Sequence, residues 1–129
     1  MSAGAPYETL VTMKHLKTQD DFEVLIGRAK DTNGEPIPAP NGDSVVYFTA
    51  SWCGACRRLD LNRLLVALPK VNWYKVDVDE NTYTPGFCGV RAIPSFLFIK
   101  DGKVVGNVLQ SNDTMKVLAW VQSSAGASY

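Results

Sequence analysis

Two cysteines three residues apart, Cys53 and Cys56, have the type and spacing to do covalent chemistry. On a helix, residues at i and i+3 share a face with Cβ atoms about 5–6 Å apart, so two sulfurs there can bond with little backbone movement. At a helix start the unpaired amides and the dipole favour a negative sulfur, lowering the thiol pKa from about 8.5 toward neutrality or below. Cys53 leads the turn and is expected to attack an external disulfide. Cys56, expected one turn inside the helix and less exposed, then attacks Cys53 and releases the reduced product. Two rival readings stand beside this. A structural zinc site wants four ligands, and beyond the one pair only Cys88 and His15 are on offer, each alone, so no metal is expected. The other rival is a pair of small buried residues without chemistry; a strand-to-helix turn beside Trp52 argues against it.

The elements that must hold the pair are legible around it. Val45-Val46-Tyr47-Phe48-Thr49, within Ser44–Ala50, is the continuous β-prone run of a strand covered on both faces. Ser51-Trp52-Cys53-Gly54-Ala55-Cys56 follows directly. Residues 57–68 come next, with leucines recurring at three and four until Pro69 stops them. The pattern is strand, tight turn, helix, and in open α/β sheets reactive groups gather at such a strand end. Upstream, Thr9–Met13 reads as a weakly patterned first strand. Thr18 and the carboxylates after it open a helix over about Gln19–Lys30, with Phe22, Leu25, Ile26 and Ala29 at helical spacing. Asp31–Asp43 carries Pro36, Pro38 and Pro40 with Gly34 and Gly42, and reads as an extended surface loop inserted between elements.

Downstream, Val71–Val78 alternates into a strand, and Thr84-Pro85-Gly86-Phe87 breaks the chain before a short helical crossover. Ser95–Lys100 and Lys103–Leu109 flank Asp101-Gly102 and predict an antiparallel hairpin. Ser111 is expected to cap a last helix over Asn112–Gln122, with Met115, Leu118, Ala119 and Trp120 on one face and a small polar tail from about residue 123. The order β-α-β-α-β, crossover, β-β-α predicts one α/β domain over residues 1–129, a central mixed β-sheet with helices on both faces.

Composition narrows the partners. The 129 residues are 46% apolar and 20% charged, enough for a core and too apolar for a disordered chain. Thirteen basic residues balance thirteen acidic ones, so no basic field is present to collect nucleic acid or a membrane surface. No apolar run approaches the roughly 18–20 residues of a membrane helix. The first residues lack the pattern of a secretory or import segment, so a cytoplasmic location is expected.

Three segments, Phe48-Thr49-Ala50-Ser51-Trp52-Cys53-Gly54-Ala55-Cys56, Lys75-Val76-Asp77-Val78-Asp79 and Gly89-Val90-Arg91-Ala92-Ile93-Pro94-Ser95-Phe96, together resemble the thioredoxin family at family spacing. The resemblance runs from about Val45 to Gln122, and more weakly through Thr9–Lys30. It implies a thioredoxin fold and dithiol–disulfide exchange on protein disulfides, with electrons from a thioredoxin-reductase-type or dithiol donor. No bound cofactor is implied, because the thiols carry the electrons. The resemblance also implies a cis Ile93–Pro94 bond against the Cys53 turn, leaving the Ile93 backbone to pair with an extended substrate. Trp52 and Gly54, with Gly106 and its neighbours, would complete an apolar rim. Trp73 and Trp120 read as packing residues, and His15 as a surface or strand-end residue.

Three departures from the family pattern carry expectations of their own. Ala55 replaces the usual proline and restores an amide donor close to the Cys53 sulfur. That favours thiolate and the reduced form, so the couple is expected to be more oxidising than the roughly −270 mV of thioredoxin. Tyr47 stands where the family has a buried aspartate that helps deprotonate the resolving cysteine. Lys75 keeps its place, and Asp77, two residues on and hence on the same strand face, is a candidate substitute. Leu61 replaces a mid-helix proline, which predicts a straighter helix after Cys56. Cys88 reads as a buried small hydrophobe, with a regulatory or dimer-forming thiol in an otherwise monomeric protein as the alternative. Two other functions stay open: a disulfide isomerase or oxidase, and a thioredoxin-fold binding module with relaxed catalysis.

Overall fold

The structure, a computed structural model, describes residues 13–28, 31–32, 35–36 and 42–126. The chain runs β1 (Lys14–His15), α1 (Gln19–Leu25), β2 (Asp31–Thr32), β3 (Glu35–Pro36), β4 (Asp43–Thr49), a 3-10 turn (Ala55–Arg58), α2 (Leu61–Ala67), β5 (Asn72–Asp77), α3 (Thr84–Phe87), β6 (Ser95–Lys100), β7 (Lys103–Gln110) and α4 (Thr114–Ser124). Five strands form one mixed sheet in the order β1-β5-β4-β6-β7, parallel from β1 to β4 and antiparallel from β4 to β7. The expected α/β architecture is therefore present.

Central strand β4 is covered on both faces, as its unbroken β-branched and aromatic run predicts. Successive side chains alternate sides. Val45 and Tyr47 join Trp73, Phe96 and Phe98 under α2 and α4, while Val46 and Phe48 join Tyr74, Val76, Leu97 and Ile99 under α1. The first of these two cores contains Cys53 and Cys56. Trp120 closes its edge against Phe98, rings edge to face at 6.2 Å, in the packing role expected of it and of the buried Trp73. The predicted hairpin is also there: Asp101 and Gly102 take positive φ, 49° and 82°, as a tight two-residue turn requires.

Several boundaries differ from expectation, each for a local reason. Helix α1 starts on the Thr18 cap, whose hydroxyl accepts the Asp21 N–H at 3.2 Å while the Asp21 carboxylate takes the Thr18 N–H. It ends at Leu25 rather than near Lys30, because Gly27 adopts φ +73° just past the last turn; Ala29 and Lys30 lie outside the described residues. The expected insertion loop contains a short antiparallel pair, β2 with β3, which the extended reading missed; its intervening Asn33-Gly34 has hairpin composition. Residues 33–34 and 37–41 of that loop, Thr9–Thr12 of the expected first strand, and residues 127–129 lie outside the described residues, and Asp43, expected in the loop, already belongs to β4. The first observed strand is Lys14–His15, and His15 is exposed on it, paired in register with Lys75.

The straight helix expected after Cys56 is not formed. A four-residue 3-10 turn gives way at Leu59, which is extended at φ −77°, ψ 135°, and α2 begins afresh on Asp60. Asp60 accepts the Arg63 N–H at 3.1 Å, an N-cap that competes with helix continuation, and gives its own N–H to Thr114 Oγ1 at 2.9 Å. Losing the proline did not straighten this segment, because an aspartate directly after the buried Leu59 starts a new helix. The final helix is likewise capped by Asp113 rather than Ser111, and its buried stripe is Val117, Val121 and Ala125; Met115 is exposed.

Candidate active site

Strand β4 delivers the cysteines. Past Thr49 the chain turns through Ala50 and Ser51, with the Cys53 N–H donating to the Ala50 carbonyl at 3.1 Å. Cys53 and Cys56 are joined as a disulfide with Cα atoms 5.3 Å apart, within the usual range for such bridges. The Cys56 N–H donates to Cys53 Sγ at 3.1 Å. This is the amide that reaches the sulfur; among the described residues, that of Ala55 makes no such bond. Cys53 was expected to be the more exposed of the two, but in this oxidised form both are buried, Cys53 at 4% exposure and Cys56 at 7%. Both cysteines pack into the apolar core. With only a short 3-10 turn behind the pair, the donor that reaches Cys53 Sγ is a single backbone N–H rather than the end of a long helix.

The Ile93–Pro94 peptide is cis, as the resemblance implied. Ile93 lines two grooves. One, about 380 Å³, is walled by Trp52, Val78, Pro85, Val90, Arg91 and Ala92. The other, about 410 Å³, runs past Ala55 and Pro94 to Gln110, Ser111, Asn112, Asp113 and Lys116. Gly106, expected on the rim, sits instead in mid-strand with φ +67°, where β7 is irregular against β6. The strand's end takes that place and is polar. Trp52 is 64% exposed, yet its indole is held: Nε1–H donates to Asp79 Oδ2 at 2.7 Å. Asp79 is in turn set by its own N–H on Asp77 Oδ1 at 2.9 Å. Sequence reasoning missed this role of Asp79; its place just past the end of β5, two residues after Asp77, was the available signal.

Tyr47 is 2% exposed and stacks on Phe96, ring centres 5.1 Å apart. Burial pushes its hydroxyl above the ordinary 10.0, against a smaller opposing effect of a hydrogen bond with Thr49. Strand register pairs Tyr47 with Lys75 and Thr49 with Asp77, so Lys75 and Asp77 share the sheet face of Tyr47, where the cysteines pack. Cys88 lies elsewhere, half-buried beside the core on the opposite sheet face, with burial pushing its thiol up to about 12. No cluster of His, Cys, Asp and Glu among the described residues could hold a metal.

Residues 24–123 match the family model described as Thioredoxin. The chain is 38% identical to a thioredoxin of Rhodospirillum rubrum over 93 residues, covering 70% of this chain and 89% of the relative. It is 31% identical to the mitochondrial thioredoxin-3 of Saccharomyces cerevisiae over 104 residues, covering 79% and 82%. Among solved structures, Fasciola hepatica thioredoxin superposes with a TM-score of 0.70 at 33% identity, covering 87% of this chain and 99% of the other. With a Cys-x-x-Cys disulfide at the end of its central strand and these relatives along most of its length, the chain belongs to the thioredoxin family of thiol–disulfide oxidoreductases.

Proposed function

We propose that the chain works as a reductase of protein disulfides, Cys53 attacking and Cys56 resolving. The Cys53 thiolate displaces one substrate sulfur and forms a mixed disulfide; the Cys56 thiolate then attacks Cys53 Sγ and expels the second. Two electrons pass to the substrate, and the closed pair awaits two electrons and two protons from a reductase-type or dithiol donor. The observation that carries this reading is the Cys56 N–H bound to Cys53 Sγ at 3.1 Å, a donor that favours the thiolate over the thiol. Trp52, Gly54, Ala55, Ile93 and Pro94 form the surface that receives substrate. Lys75 and Asp77 serve the pair from the sheet face, Asp77 as acceptor of the Cys56 proton. The expected result is insulin reduction with dithiothreitol that Cys53→Ser abolishes and Cys88→Ser leaves intact, with Cys56→Ser trapping mixed disulfides. Loss of none of the activity in Cys53→Ser would reject the reading.

Ala55 supports a second, more oxidising character, since an amide absent from proline is free to approach the reduced sulfur. Equilibration against glutathione should return a potential between about −270 and −180 mV, the thioredoxin and disulfide-isomerase values. A value at or below the lower figure rejects this. The chain acts as one domain over residues 1–129, as a monomer. No helix among the described residues is long and apolar enough to cross a membrane, and we assign it to the cytoplasm, a reducing compartment in which an unpaired Cys88 is stable.

A further inference from the structure

The break between the turn that carries the cysteines and α2 is held from outside both. Within the turn, the Arg57 N–H donates to the Gly54 carbonyl and the Leu59 N–H to that of Cys56, both at 3.2 Å and both three residues back. In an α-helix running on from Cys56, the next amide, that of Asp60, would take the Cys56 carbonyl four residues back. It does not. The Asp60 N–H donates at 2.9 Å to Thr114 Oγ1, 54 residues away in sequence at the start of α4. Leu59, between these bonds, is extended at φ −77°, ψ 135° and buried in the core that holds both cysteines. The Asp60 carboxylate then closes the start of α2 on the Arg63 N–H at 3.1 Å.

The break bears on the charge that Cys53 can carry. Unbroken, residues 55–67 would form one helix with Cys53 at its head, where free amides and aligned peptide dipoles favour an anion. Broken, the positive end of α2 faces the Asp60 carboxylate, and Cys53 Sγ receives one amide, that of Cys56 at 3.1 Å. We propose that Thr114 is a positioning residue of the exchanging pair: by taking the Asp60 N–H, its hydroxyl keeps the turn apart from α2 and withholds the longer helix from the Cys53 thiolate. The pair is thereby a better reductant, because whatever stabilises the thiolate favours the reduced form. Thr114 acts through Asp60 and lines neither groove at Ile93. This rests on the reading of Cys53–Cys56 as the exchanging pair.

The test removes the hydroxyl from the full chain. Thr114→Val keeps the β-branched shape and Thr114→Ala leaves only a methyl; both lose the acceptor, and Thr114→Ser retains it. Each protein is equilibrated with a fixed mixture of reduced and oxidised glutathione, in which the chain gives two electrons and two protons to oxidised glutathione as Cys53–Cys56 closes. The ratio of reduced to oxidised chain should rise about two- to fivefold in Thr114→Val and Thr114→Ala, the range over which a helix end acts on a nearby charge. Thr114→Ser should stay at the value of the unaltered chain. The Leu59 Cα chemical shift should move from extended toward helical in the same two variants. A ratio that falls or stays level in both, or that Thr114→Ser moves equally, overturns the inference, as does a Leu59 shift that remains extended. Insulin reduction by the unaltered chain separates the two levels. If it persists while the ratio stays level, the assignment of Thr114 alone fails, whereas a chain that reduces no disulfide loses the exchange reading with it.

Discussion

Tyr47 and Cys56 lie in one apolar cluster in which Tyr47 is the buried residue that carries an ionisable side chain other than the cysteines themselves. A hydroxyl held above its ordinary 10.0 by burial cannot accept a thiol proton near neutrality. The hydroxyl should therefore be silent in the resolving step. Tyr47→Phe, which keeps the stack on Phe96, is expected to leave the pH profile of mixed-disulfide resolution in place. Asp77→Asn is expected to move its rising limb to higher pH, because the remaining acceptor is water. Stopped-flow resolution rates between pH 6 and about 9 check both, and an unmoved profile in Asp77→Asn removes Asp77 from the proton path. The cysteine pair and its neighbours were legible because type and spacing carry the chemistry. The Trp52–Asp79 bond was not, since it joins residues 27 apart through a turn whose path no local pattern reveals. Nor was the burial of Cys53, which packs on a core assembled from β4, β5, β6, α2 and α4.

Among the elements, those read correctly owe their form to signals that tertiary packing reinforces. Strand β4 is apolar on both sides because both sides are covered, and the Asp101-Gly102 hairpin needs positive φ at two positions that this dipeptide supplies. The error after Cys56 has the opposite cause. Leucine periodicity ran through residues 59–68 without a visible break, while the cap that restarts the helix was a single aspartate inside the run. Capping decides this junction, and the Thr114 hydroxyl that takes the Asp60 N–H ties it to the start of α4. Asp60→Ala should therefore destabilise the protein by about 1 kcal/mol, the usual worth of a capping side chain. Urea unfolding of the oxidised protein measures it. No loss of stability would mean that α2 is held by the burial of Leu64 and Leu65 alone. The cap shift from Ser111 to Asp113 follows the same logic: of two candidates two residues apart, the structure uses the one whose oxygen reaches two amides.

For the molecule as a whole, the consequence of covering both sheet faces is that acids with neutral protonated forms are buried in each core. Tyr47 lies on the disulfide face, and Tyr74 and Cys88 on the other. Burial raises all three, Cys88 from 9.0 to about 12 and the tyrosines above 10.0. Each group holds its proton more tightly folded than unfolded. Stability from this source is fully present below the unfolded values and is lost as pH rises through the folded ones. Urea midpoints are therefore expected to be level from neutrality to about pH 9 and to fall beyond it, from the window of Cys88 first and then of the tyrosines. Cys88→Val keeps an apolar group in the same half-buried place and removes the lowest of the three onsets, so its midpoint should hold to about pH 10 before declining. An identical fall in both proteins would show that the Cys88 thiol is not protected by the fold. The same burial keeps this thiol protonated at neutral pH, where only thiolates exchange. Alkylation of Cys88 in the oxidised protein should accordingly run about a thousandfold slower than for a thiol at 9.0, the ratio of thiolate fractions that three pKa units impose, and no disulfide-linked dimer should form through it.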